Sequence, residues 1–188
     1  MFFVFLGLYL LDKVNSLDNF FYNMIINIKS YKITHIMKFI TFFASTKFII
    51  FLICIFFVLS LKKIKIYKII NLLILGDVII NNLVKIIIRR NRPTLINLVT
   101  ENSFSFPSGH TMISVTLYGF IIYLIYKSKL NKNIKIILIT SLLLLIIAII
   151  ISRIYLGAHY FSDCMAGIFL ALSYLLLFID LLERKKIL

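Results

Sequence analysis

Five largely apolar runs, at about residues 39–60, 69–90, 109–126, 134–152 and 155–182, constrain this chain more than any other feature. A helix needs roughly 20 mostly apolar residues to cross the ~30 Å hydrocarbon layer of a bilayer, and within that layer backbone polar groups must be bonded internally. Runs of this length therefore read as transmembrane helices. Hydrophobic residues make up 62% of the 188, more than a soluble domain of this size can hide. The expectation is an all-α, polytopic transmembrane helical bundle, a single membrane domain over residues 1–188.

Residues 1–11 are apolar but lack the basic flank and small-residue cleavage site of a signal peptide. At ~1.5 Å per residue they reach about 16 Å, half a bilayer. They read as a short, tilted or interfacial first helix that would complete a six-helix core, or as a sequence whose start lies upstream. Residues 12–38 mix polar and apolar side chains and are expected to form an amphipathic connector at the membrane surface. Cys54 and Cys164 sit in apolar stretches and imply neither a disulfide framework nor a zinc site.

The net charge of +14 raises the question of nucleic acid, but the lysines fall in short clusters between apolar runs rather than on one continuous face. They read instead as topology signals. Lys62, Lys63, Lys65 and Lys68 share one loop, Lys127, Lys129, Lys132 and Lys135 another, and Arg184, Lys185 and Lys186 the end. Pairs of spans separate these segments, so all three lie on one side. The positive-inside rule assigns that side to the cytoplasm, leaving loops 91–108 and 153–158 outside. The connector opposes this in part, since it carries Lys13, Lys29, Lys32 and Lys38 against Asp12 and Asp18.

The unusual polar residues gather at the outward ends of the spans, in three clusters. The first is Lys85, Arg89, Arg90, Arg92 and Pro93. If the helix persists, positions 85, 89 and 92 share one face. Basic residues snorkelling at a membrane boundary would look the same, except that this is the side poor in such charge. The second is Pro107-Ser108-Gly109-His110, which marks a helix N-terminus with Ser108 as cap. Such a terminus offers free N–H groups and a positive dipole end to an anion; alone, it would equally suit an ordinary turn with a surface histidine. The third holds Ser152, Arg153, Gly157, His159 and Asp163. On a helix the Asp163 carboxylate, four residues on, can reach and orient the His159 imidazole; a polar pair stabilising helix contacts is the competing reading.

Taken together the clusters favour chemistry. Two of the three histidines and both prolines fall within them, and they assemble cations, a helix N-terminus and two imidazoles on one membrane face. This inventory matches phosphoryl transfer: cations and N–H groups neutralise the phosphoryl oxygens, one histidine attacks and another protonates the leaving oxygen. The seven acidic residues are not grouped, so a carboxylate-built two-metal site is not expected. Asp77 and Asn81 precede Lys85 at helical spacing and read as interhelical hydrogen bonders. His35 reads as an interfacial residue.

The spacing resembles the type 2 phosphatidic acid phosphatases, which share an active-site signature with the vanadium haloperoxidases. That signature runs Lys, six residues, Arg-Pro; then Pro-Ser-Gly-His; then Ser-Arg, three residues, Gly, one residue, His, three residues, Asp. All its fixed positions occur here in order between residues 85 and 163. The resemblance implies that His159 attacks phosphorus to form a phosphohistidine, oriented by Asp163, with His110 as general acid. Lys85, Arg92, Arg153, Ser108 and Gly109 would hold the phosphate, with Arg90 and Ser152 as possible additions. It also implies a membrane lipid phosphatase that needs no metal and no cofactor. Undecaprenyl diphosphate is the leading substrate, with phosphatidate or phosphatidylglycerophosphate as the alternative. A transporter or lipid-binding protein would also carry charge inside its spans, but would not need both histidines and Asp163. No protein partner follows from the sequence.

Overall fold

The computed structural model describes residues 7, 14–61, 65–94 and 98–187. Its helices are α1 (Asn15–Ile28), α2 (Tyr31–Phe42), α3 (Thr46–Leu61), α4 (Lys65–Ile88), α5 (Gly109–Lys127), α6 (Lys132–Tyr155) and α7 (Phe161–Arg184), and no strand occurs among the described residues. Five stretches are long and apolar enough to cross a membrane: Tyr31–Leu61, which takes in α2 and α3, and each of α4 to α7. The chain is a multi-pass helical membrane protein, as its apolar runs require. The helix expected over residues 1–11 lies outside the described residues, Gly7 apart.

Helix α5 is the central element, touching α4, α6 and α7. Its first turns are lined by small and hydroxylated residues, Thr111, Ser114 and Thr116, all fully buried. Such residues let helices approach closely, and their hydroxyls find partners that a bilayer cannot offer. Thr116 donates to Asp77 at 2.6 Å, while Asn81 donates to the Pro107 carbonyl at 3.3 Å and meets the Met112 sulfur at 3.1 Å. Asp77 and Asn81 thus bond α4 to α5 and the turn before it, as expected. On α7, a Cβ at Gly167 would stand 3.1 Å from the Ser108 carbonyl oxygen, so the missing side chain lets α7 press against the start of α5. In contrast α6 turns Ile137, Leu144 and Ile147 outward, as a helix facing lipid should.

The two ends of the bundle differ in charge. Lys127 at the end of α5 pairs with Glu183 at the end of α7 at 2.9 Å, which brings two of the lysine-bearing segments together. The three motif clusters meet at the opposite end.

Three boundaries depart from expectation, each for a local reason. The connector expected over 12–38 is two helices: Ser30 is extended and its hydroxyl caps α2 from Ile33 N–H, so the first apolar stretch begins at Tyr31 rather than near 39. Helix α4 does not persist through position 92, because Arg89 takes a left-handed φ of 51° and the helix ends at Ile88. The last span starts at Phe161, not 155. Gly157, at φ 67°, reverses the chain after α6, and the Asp163 carboxylate accepts the Tyr160 N–H at 2.9 Å, as an acidic third residue does at a helix start.

Candidate active site

The sequence places Lys85 on the last turn of α4, Arg92 on the following loop, His110 on the first turn of α5, Arg153 near the end of α6 and His159 between α6 and α7. The fold brings them together. Lys85, Arg92, Gly109, His110 and His159 line one cavity of about 430 Å³. Arg153 lines an adjoining cavity that shares His110 and Glu101 with the first.

His159 is buried, with its two ring nitrogens in different company. On one side, Nδ1 lies 3.6 Å from Asp163 Oδ2 and 3.3 Å from Ser105 Oγ. The Ser105 hydroxyl donates to Asp163 Oδ2 at 2.5 Å, so its oxygen is free to accept from an Nδ1–H. Ser105 therefore bridges the imidazole to the carboxylate, and His159 reaches them from a loop rather than from one turn of a shared helix. On the other side, Nε2 lies 3.3 Å from Arg92 Nη1. A guanidinium only donates, so with Nδ1 protonated the Nε2 lone pair accepts from Arg92 at the cavity wall. Burial, and then the cations of Arg153, Arg92 and Lys85, hold the His159 pKa well below the ordinary 6.5.

The cations are held in place before any anion arrives. Lys85 donates to the Phe104 carbonyl. Arg92 is fixed by the Ser103 carbonyl at 2.6 Å and the Ala158 carbonyl at 2.7 Å. Arg153 is fully buried, donating to Thr41 at 3.0 Å and pairing with Glu101. Among the described residues its Nε has no partner, a buried donor that an anion's oxygen would satisfy. At the start of α5, Ser108 caps the helix by accepting from Thr111 N–H, which directs its dipole end at the cavity through Gly109. A Cβ at Gly109 would lie 3.1 Å from Asn81 Oδ1, so this wall has little room for a side chain.

Other expected residues have different places. Ser108 lies behind the cavity as a cap, and the Ser152 hydroxyl, fully buried, donates to the Ile149 carbonyl of its own helix at 2.6 Å. Arg89 is turned to solvent. Arg90, expected as an extra phosphate ligand, is committed to carboxylates instead: Nη1 meets Asp163 Oδ1 at 2.5 Å and Nη2 meets Asp18 Oδ2 at 2.7 Å. His35 is exposed and packs edge-on against Tyr31. Ser105, Glu101 and Asp18 did not stand out in the sequence. Ser105, between two phenylalanines just ahead of the Pro-Ser-Gly-His run, had the best signal, because a hydroxyl between apolar neighbours needs a partner when buried.

Comparison with known proteins gives the family and the fold. Residues 66–187 match the PAP2 superfamily. Phosphatidylglycerophosphatase B of Bacillus subtilis strain 168 is 39% identical over 104 residues, 54% of this chain and 51% of the relative; the chain thus aligns with about half the length of that curated relative. The crystal structure of a transmembrane PAP2-type phosphatidylglycerolphosphate phosphatase from Bacillus subtilis superposes with a TM-score of 0.85 at 28% identity, over 97% of this chain and 94% of that one. LpxE of Aquifex aeolicus shares the fold, with a TM-score of 0.63 at 21% identity over 85% of this chain and 92% of that one. Since the matched stretch holds all three motif clusters, this chain belongs to the PAP2 superfamily.

Proposed function

We propose that this protein removes a phosphate from a membrane lipid by way of a phosphohistidine on His159, with phosphatidylglycerophosphate as its principal substrate. One observation carries the reading: the cavity is amphiphilic. Lys85, Arg92, His110 and His159 line it together with Ile49, Ile50 and Ile53 of α3 and Leu75 and Val78 of α4, and Asp77, Asn81 and Asn82 add polar wall on α4. A phosphorylated headgroup on an apolar tail suits both kinds of lining, and no water-soluble phosphate needs the apolar one. The relatives named above support the phosphomonoester over undecaprenyl diphosphate, the lead from sequence.

In the first step the His159 Nε2 lone pair attacks phosphorus and the bond from phosphorus to the lipid oxygen breaks. The His110 imidazolium gives its proton to that oxygen, releasing the lipid alcohol. In the second step water attacks the phosphohistidine, His110 takes one of its protons, the P–N bond breaks and inorganic phosphate leaves. Lys85, Arg92, the free Nε of Arg153 and the α5 N-terminus neutralise the equatorial oxygens. The lysine-rich opposite end supports an extracytoplasmic site through the positive-inside rule.

A substrate panel in detergent, with excess chelator, tests this. Phosphatidylglycerophosphate is expected to turn over with kcat/KM at least about tenfold above undecaprenyl diphosphate and phosphatidate, a barrier difference of roughly 1.4 kcal/mol. Loss of activity in chelator, or a faster diphosphate, would overturn the reading. The depressed His159 pKa gives a second expectation. Nucleophilic attack needs the neutral ring, and a lowered pKa keeps it neutral into more acidic solution. Plotted per dianionic substrate, the acidic limb of kcat/KM, set by His159, should lie below pH 6.5, while loss of the His110 proton sets the basic limb. An acidic limb centred at 6.5 or higher would contradict the assignment.

A further inference from the structure

We infer that Asp18, on the helix preceding the first membrane stretch, is a positioning residue for the phosphatase reaction, acting through Arg90 on Asp163. This rests on the function proposed above. Asp18 lies outside residues 66–187, the part that matches the family, yet only 4% of it is exposed and both its oxygens are engaged. Oδ1 accepts the Ser162 N–H at 2.9 Å; Oδ2 accepts the Ser162 hydroxyl at 2.7 Å and Arg90 Nη2 at 2.7 Å. The other arm of the same guanidinium donates to Asp163 Oδ1 at 2.5 Å and to Ser162 Oγ at 2.7 Å. Its face is covered by the Tyr160 ring, 4.2 Å from Cζ. The planar fork of an arginine can hold two carboxylates in one fixed arrangement.

Charge explains why two are needed. With one guanidinium and two carboxylates, the group carries a net charge of −1 beside His159. Had Arg90 faced Asp163 alone, that pair would be neutral, and Asp163 would have little field left for the imidazole. Asp18 takes up part of the Arg90 charge and leaves Asp163 negative toward the ring. His159 becomes cationic as its Nε2 bonds to phosphorus, so a preorganised negative charge behind it favours the transition state over the ground state. Binding of an anionic substrate gains nothing from the same charge.

This predicts a split between kcat and KM. Asp18→Asn should lower kcat by about tenfold or more with KM unchanged or lower, as expected when only a transition-state interaction is lost. Asp18→Glu should recover most of the loss. Phe21→Ala is the control for docking of α1, because Phe21 stacks on Phe161 at 4.0 Å and brings no charge or hydrogen bond to the network; it should lower thermal stability and leave kcat within about twofold. All variants are assayed beside wild type on phosphatidylglycerophosphate. If Asp18→Asn does not accumulate in membranes, Asp18→Glu against Asp18→Gln reads the same charge difference at equal length. Wild-type kcat in Asp18→Asn or Asp18→Gln, a loss confined to KM, or an equal kcat loss in Phe21→Ala would overturn the inference. An inactive wild type would instead overturn the phosphatase reading itself.

Discussion

Replacing His159 with alanine is expected to lower kcat by at least about 10⁴-fold, the scale on which loss of a covalent nucleophile is felt, while the protein still accumulates in the membrane. The side chain touches Ser105, Arg92 and Asp163 but lies outside the apolar core, so its removal should leave the helix packing in place. His110→Ala should fail in a different way. Its role as proton donor matters when the leaving group is a poor one, such as a lipid alkoxide. An aryl phosphate, whose leaving oxygen needs no proton, should still phosphorylate His159 in that variant. Turnover of lipid phosphate by purified protein checks the first expectation. Comparison of lipid and aryl substrates checks the second.

The largest expected effect on stability is at Arg90. Arg90→Ala would leave Asp18 and Asp163 facing each other without their shared cation, at 4% and 0% exposure. Removing one partner of a buried charge cluster costs about 3–5 kcal/mol, a large part of the 5–15 kcal/mol that typically separates folded from unfolded chains. Arg90→Lys should also weaken the fold, though less, since a single ammonium cannot donate along two fixed directions as the guanidinium does. Thermal unfolding in detergent measures both. A melting temperature unchanged in Arg90→Ala would contradict the role given to this cluster.

Much of the fold and the core of the site were legible before any coordinates, and for the same reason. Inside a bilayer only apolar side chains are inexpensive, so Lys85, Arg153 and Asp163 stand out against long runs of Ile and Leu. Their fixed spacing with Arg92, His110 and His159 did the rest. Legibility ended where contacts become long-range. Asp18 meets Arg90 across 72 positions, Ser105 meets Asp163 across 58 and Glu101 meets Arg153 across 52; no periodicity connects such pairs. It also ended at chain reversals. Arg89 and Gly157 leave helical geometry through a positive φ, a local choice that apolar length does not report. As a result the single face open to Lys85, Arg89 and Arg92 if the helix persisted does not form: Arg89 goes to solvent and Arg92 to the cavity.

The central claim is that phosphate passes through His159, and trapping the intermediate tests it most directly. His110→Ala should form the phosphohistidine from a ³²P-labelled aryl phosphate but hydrolyse it slowly, because the base for the attacking water is missing. Quenched in alkali, the protein should carry close to one labelled phosphoryl group per chain, stable to base and released by acid, on the peptide containing His159. The same label should be absent from a variant lacking both histidines. Label on another residue would show that a different side chain attacks phosphorus, and no label in a variant that still hydrolyses the aryl phosphate would show that water attacks directly; either result would contradict the account.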